Sequence, residues 1–171
     1  LIDDQFARLS EKILAAVATV TDEPVRFLLN THHHGDHTGG NENMAAAGAT
    51  IVAHENVRTR LSDGAAGALP VLTFADAVTF HQNGDDIHVF HVANAHTDGD
   101  SVVHFQTANV IHMGDTFFSG RYPFIDVGSG GSIAGLIAGV EQIGSLVDAE
   151  TKIIPGHGPL SDAGDLELYL G

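Results

Sequence analysis

Apolar and polar positions alternate along the chain at two periods, and these divide it into predicted helices and strands. Residues 5–20, "QFARLSEKILAAVATV", place Phe6, Leu9, Ile13, Leu14, Val17 and Val20 on one helical stripe. After Pro24, "VRFLL" (25–29) reads as a buried strand. Asn41 is expected to cap a short Ala-rich helix over 42–47, closed by Gly48. "ATIVAH" (49–54) predicts a strand, and "ENVRTRLSDG" (55–64) a short helix ending at Gly64.

A strand-rich third follows: "AVTFHQ" (77–82), "DIHVFHV" (86–92), "SVVHFQ" (101–106) and "NVIHMGD" (109–115), with tight connections expected at Gly84-Asp85 and Thr107–Ala108. Past the "GSGGS" stretch (128–132), Ser132 is an expected N-cap. Ile133, Leu136, Ile137, Val140, Ile143 and Val147 form the stripe of a second amphipathic helix. "TKIIP" (151–155) predicts the last strand, then comes a "GHGP" turn and a short helix over 162–170. Helices and strands alternating in this way predict one layered α/β domain over residues 1–171. The first helix has no predicted strand before it, so part of the first sheet is expected to be missing.

Composition narrows the function. Apolar residues are 43% and charged residues 17%, which suits a globular chain. Seven Lys plus Arg face 22 Asp plus Glu, a net charge of −15, which would repel nucleic acid or an anionic membrane. No apolar run is long enough to span a bilayer. "LIDDQFARLS" has no basic n-region or apolar core, so no signal peptide is expected, and a chain without cysteine does not reveal its compartment. With 12 histidines and no cysteine, any metal site must use nitrogen and oxygen ligands.

The chemistry concentrates in "NTHHHGDHTGGN" (30–41), where His32, His33, His34, Asp36 and His37 crowd into one turn. Metal binding is the usual reason for H-x-H-x-D-H in a turn. His96 in "NAHTDGD", Asp115 in "MGDTF" and His157 in "PGHG" also follow predicted strands, whose ends can converge rigidly. With His33 set aside, the five histidines and two aspartates exceed the four ligands of one tetrahedral zinc and suit two ions. Imidazole and carboxylate also match iron or manganese. His33 is expected to point away. His54, His81, His88, His91, His104 and His112 read as ordinary strand-surface residues, and Ser101 and Ser119 as structural ones.

In the motifs His32-x-His34-x-Asp36-His37, "AHTDGD", "GDTFF" and "PGHG", in that order, the chain resembles the metallo-β-lactamase superfamily over nearly its whole length. The resemblance implies an αββα sandwich, here lacking the N-terminal strands, with metals at one edge. It assigns His32, His34 and His96 to a first zinc, Asp36, His37 and His157 to a second, and Asp115 to a bridge between them. Asp115 stands where one broad-spectrum lactamase subclass has Cys, and Phe118 stands where that subclass has Lys. Aspartate here is the pattern of glyoxalase II and the lactonases, and Arg121 is the nearest substitute cation.

The activity implied is hydrolysis of a small acyl compound (β-lactam, lactone or thioester) by a hydroxide shared between two dications. Asp36 would orient that hydroxide, with Thr97 and Asp98 supporting the ligands. Phe117, Phe118, Tyr122, Pro123, Phe124 and Ile125 could wall a pocket or serve as ordinary core. An iron-dependent sulfur dioxygenase with one iron, and a metal-bound scaffold without catalysis, remain alternatives. Sheet edges left by missing strands would suit a homodimer.

Overall fold

The computed structural model describes all 171 residues, Leu1–Gly171, in two compact units, Leu1–Ala75 and Asp76–Gly171. In the first unit, β1 (Phe27–Asn30), β2 (Thr50–His54) and β3 (Leu72–Phe74) form a parallel sheet in that order. Phe27 lies opposite Thr50, and Val52 opposite Leu72. Both faces of β1 and β2 are largely buried, which accounts for their continuous apolar runs. Leu28, Met44, Ala49 and Ile51 make the core here, with Ile13 and Leu14 packed against it.

Helix α1 runs only Ser10–Val17, preceded by a 3₁₀ turn at Ala7–Leu9. The predicted stripe over 5–20 is therefore cut at both ends. Asp3 and Gln5 have positive φ (50° and 60°), which breaks any helix before Phe6, and Val20 is exposed. The preceding segment is a short parallel partner of β1. Leu29 N–H donates to Leu1 O (3.0 Å), Asp3 N–H donates to Leu29 O (2.8 Å), and Ile2 bridges Leu29. The first helix thus does have extended chain before it.

Three further differences belong to this unit. The histidine turn contains a helical turn of its own, α2 (Gly35–Thr38). Asn41 does not cap α3 (Asn41–Ala46). Gly40 holds the cap position, and the Asn41 amide instead donates to Asn30 Oδ1 (2.9 Å) and Ala68 O (2.8 Å). Helix α4 stops at Arg60 (Glu55–Arg60), short of Gly64.

The second unit is a five-stranded sheet in the order β4 (Ala77–Gln82), β5 (Asp85–His91), β6 (Ser101–Phe105), β7 (Val110–Phe118), β8 (Lys152–His157). The strands are antiparallel except for the parallel pair β7–β8. The β4–β5 turn centres on Asn83-Gly84, both at positive φ (56° and 76°), the backbone of a type I′ hairpin. Helix α5 (Ile133–Gly144) begins where Ser132 Oγ accepts Gly135 N–H at 3.0 Å, and it buries Leu136, Val140 and Ile143. Each such side chain contributes about 1.5–3 kcal/mol. They pack with Phe90, Val102, Ile111, Met113, Phe117 and Ile153 from the sheet and Leu166 from α6 (Ala163–Leu170). Asp162 and Asp165 close a reciprocal capping box on α6. No helix is long and apolar enough to cross a membrane.

Candidate metal centre

In the first unit the donors hang on the end of β1. His32 follows the strand directly, His34 precedes α2, and Asp36 and His37 ride on α2. The turn is fixed from behind. His34 O accepts His37 N–H, Thr38 N–H and Thr38 Oγ1–H, each at 3.0 Å. Gly39 is required where the chain turns back, since a Cβ there would lie 2.5 Å from Gly35 O and 3.1 Å from Gln5 O.

Asp3 organises two of these imidazoles. Its Oδ1 accepts Thr31 N–H (2.8 Å), and its Oδ2 accepts Thr31 Oγ1–H (2.8 Å) and His37 Nδ1–H (2.7 Å). Thr31 has spent its hydroxyl proton on Asp3, so its Oγ1 accepts from His32 Nδ1 at 3.1 Å. Both rings therefore carry their proton on Nδ1 and present Nε2 as a lone pair, as metal-ligating histidines do. The sequence reading missed Asp3, and only the packing of the first residues beside β1 exposes its role. Its neighbour Asp4 is buried, which pushes the carboxyl up to about 7 even though Gly40 N–H donates to it at 2.9 Å.

In the second unit the strand ends supply the other donors. His96 lies in the loop after β5, where its Nδ1–H donates to Phe124 O at 2.7 Å and leaves Nε2 as the lone pair. Asp115 and His157 do not follow strands as expected: both lie inside them, because β7 runs on to Phe118 and β8 to His157. Asp115 Oδ2 stands 3.5 Å from His96 Nε2 and 3.3 Å from His157 Nε2, so one carboxylate oxygen is flanked by two imidazoles. Gly156 makes room for it: a Cβ there would lie 2.0 Å from Asp115 Oδ1.

Support for His96 comes from a neighbour the sequence reading passed over. Asp100, buried, accepts Thr97 N–H (2.7 Å) and Thr97 Oγ1–H (2.6 Å) and so closes the "HTDGD" loop. Burial pushes Asp100 up to about 7 against those two donors. Thr97 is bonded to Asp100 within the loop that carries His96, and Asp98 lies by its Cβ against Gly130. Three other histidines, His54, His91 and His112, have ordinary structural partners. His54 donates to Ala75 O (2.8 Å), His91 to Asp100 O (2.9 Å), and His112 Nδ1 accepts Gly114 N–H (3.2 Å). Ser119 is bonded to Ser161 at 2.8 Å, a structural pair.

The donor pairs within each unit share one spacing. His32 Nε2 to His34 Nδ1 is 3.2 Å, and His37 Nε2 to Asp36 Oδ2 is 3.5 Å, beside the two Asp115 distances. With bonds of 2.0–2.1 Å, two ligands of a tetrahedral ion stand about 3.3–3.4 Å apart. These residues thus fit a divalent cation by chemistry and by spacing. His32, His37, His96 and Asp115 are buried, whereas His34, Asp36 and His157 are half-buried and face water.

Comparisons with known proteins show the family and the fold. The family model of the metallo-beta-lactamase superfamily matches residues 2–157. A hydroxyacylglutathione hydrolase from Pelagibacter ubique is 28% identical over 138 residues, covering 78% of this chain and 52% of that protein. One from Rhodospirillum rubrum is 30% identical over 150 residues, covering 87% and 54%. The chain thus spans about half the length of these curated relatives. A solved metallo-beta-lactamase from Pontibacter korlensis superposes with a TM-score of 0.85 at 22% identity, over 99% of this chain and 80% of that one, and so shares its fold.

Proposed function

The chain belongs to the metallo-beta-lactamase superfamily, and from that premise we propose that it is a metal-dependent hydrolase of small acyl compounds, in the β-lactam, lactone or thioester class. In this reading residues 1–171 work as one domain. His32, His34 and His96 would hold one zinc ion, Asp36, His37 and His157 would hold a second, and Asp115 would serve both sets. The observation that carries the reading is the common 3.2–3.5 Å spacing of donor atoms, together with the second ring nitrogens of His32, His37 and His96 being committed to Thr31, Asp3 and Phe124.

Bound there, divalent cations supply Lewis acidity and lower the pKa of water from about 15.7 to roughly 7. The chain's own residues do the rest. Asp3, directly on His37 and through Thr31 on His32, holds the proton of two imidazoles on Nδ1 and aims their Nε2 atoms, so metal entry requires no change of tautomer. Asp36, half-exposed 3.5 Å from His37 Nε2, would accept a hydrogen bond from the attacking water in this reading. Phe118, buried and stacked on His157 at 5.2 Å, keeps bulk water from one side of that donor. The net charge of −15 suits a small acyl substrate better than a polyanion.

The test is metal stoichiometry measured beside a substrate panel. Two zinc ions per chain with turnover of a lactone, thioester or lactam supports the reading, and His34→Ala should lose both metal and rate. One iron per chain with oxygen uptake would replace it with the dioxygenase chemistry. Full metal occupancy without turnover of any substrate would replace it with the scaffold.

A further inference from the structure

Two imidazoles outside the donor cluster stand side by side on the five-stranded sheet. The register places Thr79 of β4, His88 of β5, His104 of β6 and Ile111 of β7 in one row across four strands. Residues directly opposite in antiparallel strands point to the same face, with Cβ atoms about 4.5–5.5 Å apart. Ile111 is buried in the core on that face and Thr79 is exposed, so the row runs from core to water. His88 and His104, both half-buried, take its middle. Asp115 lies four residues beyond Ile111 along β7, roughly 13 Å at about 3.3 Å per residue, so this pair is separate from the donors described above.

The His88 ring is fixed on two sides. It stacks on Phe90 at 5.5 Å and 26°, and its Nδ1 lies 3.2 Å from Thr79 Oγ1. When Nδ1–H donates to that hydroxyl oxygen, Nε2 keeps its lone pair, the arrangement of a metal-ligating histidine. His104 differs, since it makes no hydrogen bond within the protein. Burial foremost, then the neighbouring His88, holds its ring below the ordinary value of 6.5 against the pull of Asp85. The ring is therefore neutral at pH 7, and a lone pair stands uncommitted beside His88.

Charge around the pair favours a cation. Gln106 N–H donates to Asp86 O (3.2 Å), which sets Asp86 diagonal to His104 and on the face that carries His88. The Asp86 carboxylate is exposed and takes His81 Nδ1 at 2.5 Å, so His81 is already engaged at the outer strand.

We infer that His88 and His104 chelate a late divalent transition ion, bridging β5 and β6, with water in its remaining positions. Two imidazoles suit copper(II) best, because affinity for nitrogen ligands along the divalent series peaks at copper. This site does not rest on the hydrolase reading, and neither histidine is among the donors assigned there.

Amide NMR of the zinc-loaded protein during a copper(II) titration tests the inference, since the paramagnetic ion broadens only signals near it. The expected result is broadening of the Thr79, His88, Val89 and His104 signals. It should be lost in His88→Ala and in His104→Ala and kept in His81→Ala. Copper that enters the donor cluster broadens the His32–His37 and Asp115 signals instead, so the two sites are read separately. The signals away from the substituted residue show that each variant is folded. Broadening confined to the donor cluster would overturn the inference. So would broadening at Thr79 and His88 that survives both single substitutions, or that vanishes in His81→Ala, which would move the ion to the β4–β5 hairpin.

Discussion

The carboxylate of Asp3 grips the imidazole of His37, Oδ2 to Nδ1 at 2.7 Å, across 34 residues of sequence. The same oxygen takes the Thr31 hydroxyl, so one aspartate sets the tautomer of two proposed ligands. Asp3→Ala should lower metal affinity by about 10–100-fold, the usual effect of losing such a partner. Asp3→Asn should do nearly as much, because an amide nitrogen cannot accept from His37 Nδ1–H. Competition against a chromophoric chelator measures this; native affinity in both variants would refute the role given to Asp3.

Gly156 tests the other half of the donor set. A methyl group at this position would sit 2.0 Å from Asp115 Oδ1 and 2.6 Å from the Gly114 carbonyl carbon, so Gly156→Ala must displace Asp115 or bend β8. The expected outcome is loss of metal binding, with thermal stability of the apoprotein also reduced. Gly144→Ala is the control. It ends α5 with nothing within 4 Å of the added methyl and should stabilise the chain by about 0.4–1 kcal/mol. Metal titration of both variants separates a site defect from a general intolerance of added bulk.

What was legible in the sequence follows from the range of the interactions. His32, His34, Asp36 and His37 could be read because one turn contains them, and the strands of the second unit because each is a short run rich in Val, Ile or Phe bounded by turn residues. Asp3 could not be read: its partners are 28 and 34 residues away, and nothing local marks it. Asn41 has the right residue type for a cap, yet its amide satisfies Asn30 and Ala68 in the buried interior, a tertiary demand that overrides local preference. β3 escaped notice because it is three residues long with two exposed, too little for a period. The extension of β7 through Asp115 to Phe118 is imposed by its parallel partner, since Phe118 lies opposite His157.

Asp100 supports a stability prediction. Its buried oxygens accept both Thr97 N–H and Thr97 Oγ1–H, so Asp100→Ala strands a buried backbone donor. Such a loss costs about 1–3 kcal/mol. Because the loop carries His96, zinc affinity should fall together with stability. Urea unfolding of the apoprotein measures the first effect and chelator competition the second. A variant as stable as wild type would show that the loop holds its shape without this carboxylate.

The acid limb of stability should report Asp85. Its carboxylate accepts Thr107 N–H (2.8 Å) and Ala108 N–H (3.1 Å), and these donors, Thr107 foremost, hold it below its ordinary value of 3.8. As pH falls past 3.8 the unfolded chain takes up this proton before the folded one does, so folding stability declines with acid. The contribution is complete above the ordinary value and vanishes once pH passes below the folded value. Asp85→Asn removes the titration and weakens the turn. The stability gap between wild type and variant should therefore be constant from pH 5 to pH 8 and close steadily below about pH 4. Urea unfolding of both proteins across that range, with chelator present so that metal release adds no slope, gives the measurement. A gap that persists unchanged to pH 2 would mean that the Thr107 turn does not depend on the charge of Asp85.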